Sequence, residues 1–277
     1  MKMKKSVFFT RAGIYFFLIL VALACLIPFY SMFISATHSN AEIARDLLLT
    51  PGDQFMENYH RLIDTVNIWR GFLNTTFIAV TSTILGVYFS ALVGYGFAKY
   101  HFPASKGLFL FILITMMIPG QLGIIGFYKV VESLGMLNTY WPLILPSIAN
   151  AFGVFYLKQS IDHSISDEIM DSARMEGCGE WKIFHRIVLP MLKPALATLS
   201  ILVFIGKWNS FLEPLIVLFE NDMQTLAVMV ASVKSQFNID YGAQYVAITI
   251  SVIPIVIFFL FASRKIMDSV GEGALKD

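Results

Sequence analysis

Charge-free apolar runs divide this chain. They cover 12–41, 71–98, 107–128, 133–157 and 241–263, with a further apolar stretch at 194–218 interrupted only by Lys207 and Glu213. A bilayer core of about 30 Å takes roughly 20 apolar residues in a helix. The pattern therefore predicts six crossings at about 12–34, 72–97, 107–128, 141–160, 194–218 and 243–263. Between the fourth and fifth lies a polar loop at about 161–190 that keeps helical periodicity. Ser164 with Asp167 fits a capping box, and Ile165, Ile169 and Ala173 follow at four-residue steps. Gly177 and Gly179 can end that helix, because glycine accepts the left-handed conformation of a C-cap. A second short helix begins near Glu180 and places Trp181, Phe184 and Val188 on one face, and Pro190 opens the next crossing. The expected fold is an all-α membrane protein, a single domain over 1–277, with six transmembrane helices and a two-helix loop.

Several positions inside the spans depart from plain apolar filler. Ser82, Gly86, Ser90, Gly94 and Ala98 recur every four residues, so one face of the second span is small enough for another helix to approach closely. Packing within the bundle explains this stripe better than a subunit interface. Pro119 stands midway in the third span and should kink or break it, since proline removes a backbone donor and clashes with the preceding turn. Pro254 predicts a second kink in the sixth. Gln121 beside the break and Asn150 at comparable depth are pathway candidates, with ordinary interhelical hydrogen bonding as the alternative. In GKWNSFLEPL, Lys207 falls in the outer half of the bilayer at about 1.5 Å per residue. A charge there must snorkel, pair or face water. Asn209 and Glu213 share a face if the helix persists, and Trp208 suits either an interface belt or a sugar face.

Composition agrees with this picture. Hydrophobic residues make up 57% and charged residues 14%, far from the mix of a soluble domain. Lys and Arg concentrate on the segments that become cytoplasmic when the N-terminus is inside, including Lys2, Lys99, Lys158, Arg174, Lys193 and Arg264, so both termini are expected in the cytoplasm. The first apolar run exceeds the roughly 7–15 residues of a signal peptide core, and an uncleaved first helix is expected. A net charge of +1 gives no case for nucleic acid. Cys25 and Cys178 are too far apart in this topology to pair and suit no metal site. No catalytic group or metal ligand set stands out.

The segment DSARMEGCGEWKIFHRIVLP, Asp171 to Pro190, resembles the loop by which permease subunits of bacterial ATP-driven importers dock on their ATPase, usually written EAA, then G, then I-x-LP. The gap from Gly177 to Ile187 matches that family's spacing, while Asp171 replaces its Glu and Ser172 its first Ala. The resemblance implies that Asp171, Ser172, Ala173, Glu176, Gly177, Ile187, Leu189 and Pro190 couple the chain to an ATPase. Residues 206–215 resemble the W-N-x-F-x-x-P signature of carbohydrate-importer permeases, and SVGEGALKD resembles the tail of maltose-type permeases, with Asp277 where a final Gly would stand.

From this resemblance follow a second permease subunit, most simply forming a heterodimer, an ATPase dimer carrying ATP and Mg, an extracytoplasmic solute-binding protein and a sugar substrate, all at a bacterial plasma membrane and its lipids. The chain has no G-x-x-x-x-G-K-[ST] phosphate loop of its own and is not expected to be an enzyme or to hold a cofactor. Alternatives are a permease for a non-sugar solute, or an ion-coupled secondary transporter. The latter calls for mid-membrane carboxylates and internal repeats. The loop at 219–244, with Asn221, Asp222, Gln224, Gln236, Asn238 and Tyr241, is expected to face the binding protein.

Overall fold

A computed structural model describes the backbone of residues 2–233 and 240–274, and side chains over 10–233, 240–257 and at 259. Gln236, Asn238 and Asp277 lie outside the described residues, as does the end of the SVGEGALKD tail. Among the described residues every regular element is helical. Two stretches, Thr10–Ser35 and Ile68–Lys99, are individually long and apolar enough to cross a bilayer. Two bent pairs, Ser105–Met116 with Gly120–Ser133 and Glu180–Met191 with Lys193–Trp208, bring the candidate spans to as many as four.

Proline dictates where the apolar runs break. At Pro119 the chain turns by 89° between its two helical halves, so the predicted kink is a full break. The expected fourth span at 141–160 is in pieces: a short helix Trp141–Ile144, a 3-10 turn Leu145–Ala149, then Ala151–Ser164. Pro146 accounts for the first break, since it cannot donate to the turn before it, whereas Pro142 stands in the first turn of its helix, where no donor is lost. The expected fifth span stops at Trp208, with a separate helix Leu212–Val217 beyond it. Pro254, by contrast, sits inside an unbroken helix, Tyr241–Ala274.

The chain forms two compact units. The first joins residues 1–68 with 230–252. Its long helix Lys2–Ser35 leaves Ile14, Phe16, Leu20, Leu23 and Phe29 exposed, a surface that only lipid or a partner can cover. Beyond Ser35 a polar knot joins the apolar packing of Ala36, Leu62 and Ile68. The fully buried Asn58 donates from its amide to the carbonyls of Ala36 and His38, both at 2.9 Å. Arg61 donates to Asn58 and, at 2.7 Å, to Asp240, while the Gly242 amide donates to Asn40 at 2.8 Å. Every partner is satisfied, which is what buried polar groups require.

The second unit joins 69–229 with 253–277. Its small-residue stripe packs against residues 143–158 of the same chain. Ser82 is buried and donates to the Leu143 carbonyl, and a Cβ on Gly86 would meet the Ser147 carbonyl oxygen at 2.9 Å. A Cβ on Gly94 would lie 3.0 Å from the Lys158 backbone nitrogen and 3.3 Å from the Val154 oxygen. Because those atoms belong to backbone, they cannot swing aside. Gly94→Leu is therefore expected to lower stability by about 1–3 kcal/mol, the usual cost of overpacking. Thermal denaturation of the purified protein in detergent reads this, and an unchanged midpoint would show that the helices separate freely.

Candidate functional site

The loop predicted at 161–190 folds into a knob. Its first helix, Asp167–Met175, starts two residues later than the expected capping box. Ser164 instead ends the preceding helix, Ile165 is extended, and Ser166 takes the cap position without a side-chain bond. Asp167 is engaged elsewhere: its carboxylate accepts from Lys99 at 2.7 Å, and the same ammonium donates to the Ile165 carbonyl at 2.6 Å. Of the expected stripe, Ile165 and Ala173 are buried, whereas Ile169 is exposed and Met170 takes the inward place beside it.

Gly177 closes this helix as the spacing predicts. Its φ is +77°, the Gly177 amide donates to the Arg174 carbonyl at 2.9 Å, and the Cys178 amide donates to the Ala173 carbonyl at 3.0 Å. These two bonds define a Schellman motif, which satisfies helix-end carbonyls. Gly179 then caps a short helix, Glu180–Ile183, that widens into a π turn over Phe184–Val188 and ends in Leu189–Met191. Ile183, Phe184, Val188 and Leu192 are buried with Tyr95, Leu157 and Ile161 in one continuous apolar core. Trp181, expected on one face with Phe184 and Val188, is 64% exposed and stacks on His185. The long apolar helix expected to open at Pro190 starts at Lys193 instead, after a 79° bend.

Of the predicted coupling residues, Ala173 is buried and Ile187 and Leu189 pack half-buried against the core. Asp171, Ser172, Glu176, Gly177 and Pro190 are exposed. Met175, which the sequence reading did not single out, is 89% exposed beside them. Solvent-facing Met175 and Trp181 thus flank a set of polar groups on the knob surface.

Ionic bonds stitch the knob together. Arg174 donates to Asp171 at 3.0 Å and across the glycine turn to Glu180 at 2.9 Å. The other oxygen of Glu180 accepts from Tyr95 at 3.1 Å and from Tyr100. The Tyr100 hydroxyl and the Arg174 guanidinium hold the Glu180 carboxyl below the usual range, and Glu180 in turn raises Arg174. Lys99 likewise lowers Asp167. Tyr95 and Lys99 lie on the last turns of Ile68–Lys99, so these bonds fasten the knob to the end of a long apolar helix.

The second candidate site is a cavity of about 500 Å³ walled by Ser147, Asn150, Phe152, Leu202, Lys207, Ser210 and Glu213 among others. A neighbouring cleft of about 330 Å³ is lined by Gln121, Ser210, Phe211 and Glu213. Four of the predicted pathway residues, Gln121, Asn150, Lys207 and Glu213, therefore border this space. Trp208 and Asn209 do not. Trp208 is buried against Phe204 and Phe72, and Asn209 is an exposed C-cap where the helix ends. That ending also separates Asn209 from Glu213, which pairs with Lys207 at 3.4 Å. Asn150 borders the cavity and also caps Ala151–Ser164 by accepting from the Gly153 amide at 3.0 Å.

With this geometry established, known proteins give it a context. Residues 82–269 match the model of the binding-protein-dependent transport system inner membrane component family. The chain is 30% identical over 270 residues to the arabinooligosaccharides transport system permease protein AraQ of Bacillus subtilis, covering 96% of each. To the lactose transport system permease protein LacG of Rhizobium radiobacter it is 31% identical, covering 91% of each. A solved chain of a bacterial ABC transporter involved in the import of the acidic polysaccharide alginate superposes with a TM-score of 0.80 at 23% identity, over 91% of this chain and 95% of that one. At that identity the likeness speaks for the fold alone. The matched span and the relatives together place this chain in the binding-protein-dependent transport system inner membrane component family.

Proposed function

We propose that this chain is the permease subunit of an ATP-driven carbohydrate importer, forming half of the translocation pathway and leaving ATP hydrolysis to a separate subunit. The observation that carries this reading is the knob. It displays Asp171, Ser172 and Glu176 on a helix closed by Gly177, at the positions where the family's docking motif falls. The names of the relatives, permeases for arabinooligosaccharides and lactose, supply the solute class.

On this reading the protein crosses a bacterial plasma membrane six times with both termini cytoplasmic. It pairs with a second permease subunit in a heterodimer, and the two knobs seat on an ATPase dimer that binds ATP and Mg. An extracytoplasmic solute-binding protein delivers sugar at the opposite end, against the loop at 219–244. ATP draws the ATPases together, the seated knobs move as rigid bodies, and the cavity alternates its opening. Asp171 pairs with Arg174 at 3.0 Å and keeps 70% of its side chain exposed, enough to meet a basic groove.

Co-purification with the ATPase tests the docking role. Asp171→Lys is expected to cut recovery of the ATPase about tenfold by replacing attraction with repulsion, and Asp171→Asn to cut it less. Equal, wild-type recovery from both variants would remove Asp171 from the interface.

A further inference from the structure

The cavity bordered by Lys207 and Glu213 carries a charge pattern that bears on which solutes can pass. Those two are the charged side chains in its wall, and they are paired at 3.4 Å. The rest of the wall is amide, hydroxyl, apolar or aromatic, with Asn150, Ser210 and Phe152 the groups best suited to a sugar. The pair is asymmetric. The Lys207 side chain is 19% exposed and borders one cavity, whereas Glu213 is 42% exposed and borders both that cavity and the cleft beside it. Glu213 is thus the more exposed charge of the pair and borders both spaces.

We propose that Glu213 makes this half of the pathway reject anionic solutes, so that the saccharides it serves are uncharged. This deepens the importer reading and rests on the cavity being part of the pathway. An acidic sugar entering here would lose hydration and find Lys207 of the described wall already paired, with the more exposed Glu213 carboxylate beside it. A neutral sugar meets no such barrier, because its hydroxyls can exchange water for the Ser210 hydroxyl and the amide of Gln121. An aromatic ring at Phe152 adds an apolar face for a sugar ring.

The charge of the cavity can be read without knowing the sugar. Ser210 borders both spaces, so Ser210→Cys places a thiol within them. In the assembled importer, the modification rates of that thiol by a sulfonate-bearing and a trimethylammonium-bearing methanethiosulfonate are measured by mass spectrometry of this chain, with and without ATP. Relative to a free thiol, the cationic reagent is expected to react faster. Adding Glu213→Gln is expected to raise the anionic-to-cationic ratio about tenfold, the low end of what a focused field does to encounter rates. Adding Lys207→Gln should shift the ratio the opposite way, which separates a charge effect from damage to the fold. An identical ratio in all three backgrounds would overturn the charge selection while leaving the pathway reading intact. No reaction with either reagent in any nucleotide state would overturn the pathway reading, and the inference with it.

Discussion

Replacing Gly177 by valine is expected to reduce sugar uptake at least about tenfold while the subunit still reaches the membrane. A Cβ at this position would meet nothing within 4 Å, so crowding plays no part. The backbone does: φ is +77°, a region that costs an L-residue about 1–2 kcal/mol and a β-branched one more. The chain can escape that cost only by abandoning the two bonds that end the helix, from the amides of Gly177 and Cys178. Arg174 would then lose its reach across the turn to Glu180, and Asp171 its fixed place on the surface. Asparagine tolerates the left-handed region, so Gly177→Asn should retain most uptake, and alanine should fall between. Recovery of the ATPase with the purified subunit and uptake in proteoliposomes check the order Gly, Asn, Ala, Val. A valine variant with wild-type coupling would show that the turn is dispensable.

That same glycine shows what a sequence can convey. Its role is local, set by helix geometry and a backbone angle, and the spacing alone announced it. The break at Pro119 and the small-residue stripe from Ser82 to Gly94 were legible for the same reason, since each depends on one residue's own shape. The misreadings have a common cause too. Trp181, grouped by periodicity with Phe184 and Val188, stays exposed while those two fill the core with Ile183. Trp208 looked like a pathway residue until Phe72 and Phe204 closed around it. Asn209 and Glu213 share a face only on a continuous helix, and the helix stops between them. Asn150 has an environment, a helix start after two prolines, that residue type alone does not disclose.

Least legible of all was the attachment of the knob to the helix Ile68–Lys99. Glu180 accepts from Tyr95 and Tyr100, and Lys99 holds Asp167, across separations of 85, 80 and 68 residues. If the knob couples to an ATPase as proposed, these bonds carry its motion into the membrane alongside the covalent route through Leu192, where the chain bends by 79°. Glu180→Ala combined with Lys99→Met is expected to leave the ATPase bound, because Asp171, Ser172 and Glu176 remain exposed. Uptake per ATP hydrolysed should nonetheless fall several-fold. Tyr100 and Arg174 each hold one oxygen of the same exposed carboxylate, so Tyr100→Phe and Arg174→Gln should each uncouple less than Glu180→Ala, which removes both bonds. The acid sensitivity follows the same bonds: Glu180 is held below its ordinary value of 4.5, so its contribution is complete above that value. It is lost only as pH falls through the lower, folded value, and coupling through this carboxylate should be flat across the neutral range. A double variant that transports as many sugars per ATP as the wild type would show that these polar bonds are dispensable, leaving transmission to the apolar core around Phe184 and to the covalent connections at the two ends of the knob.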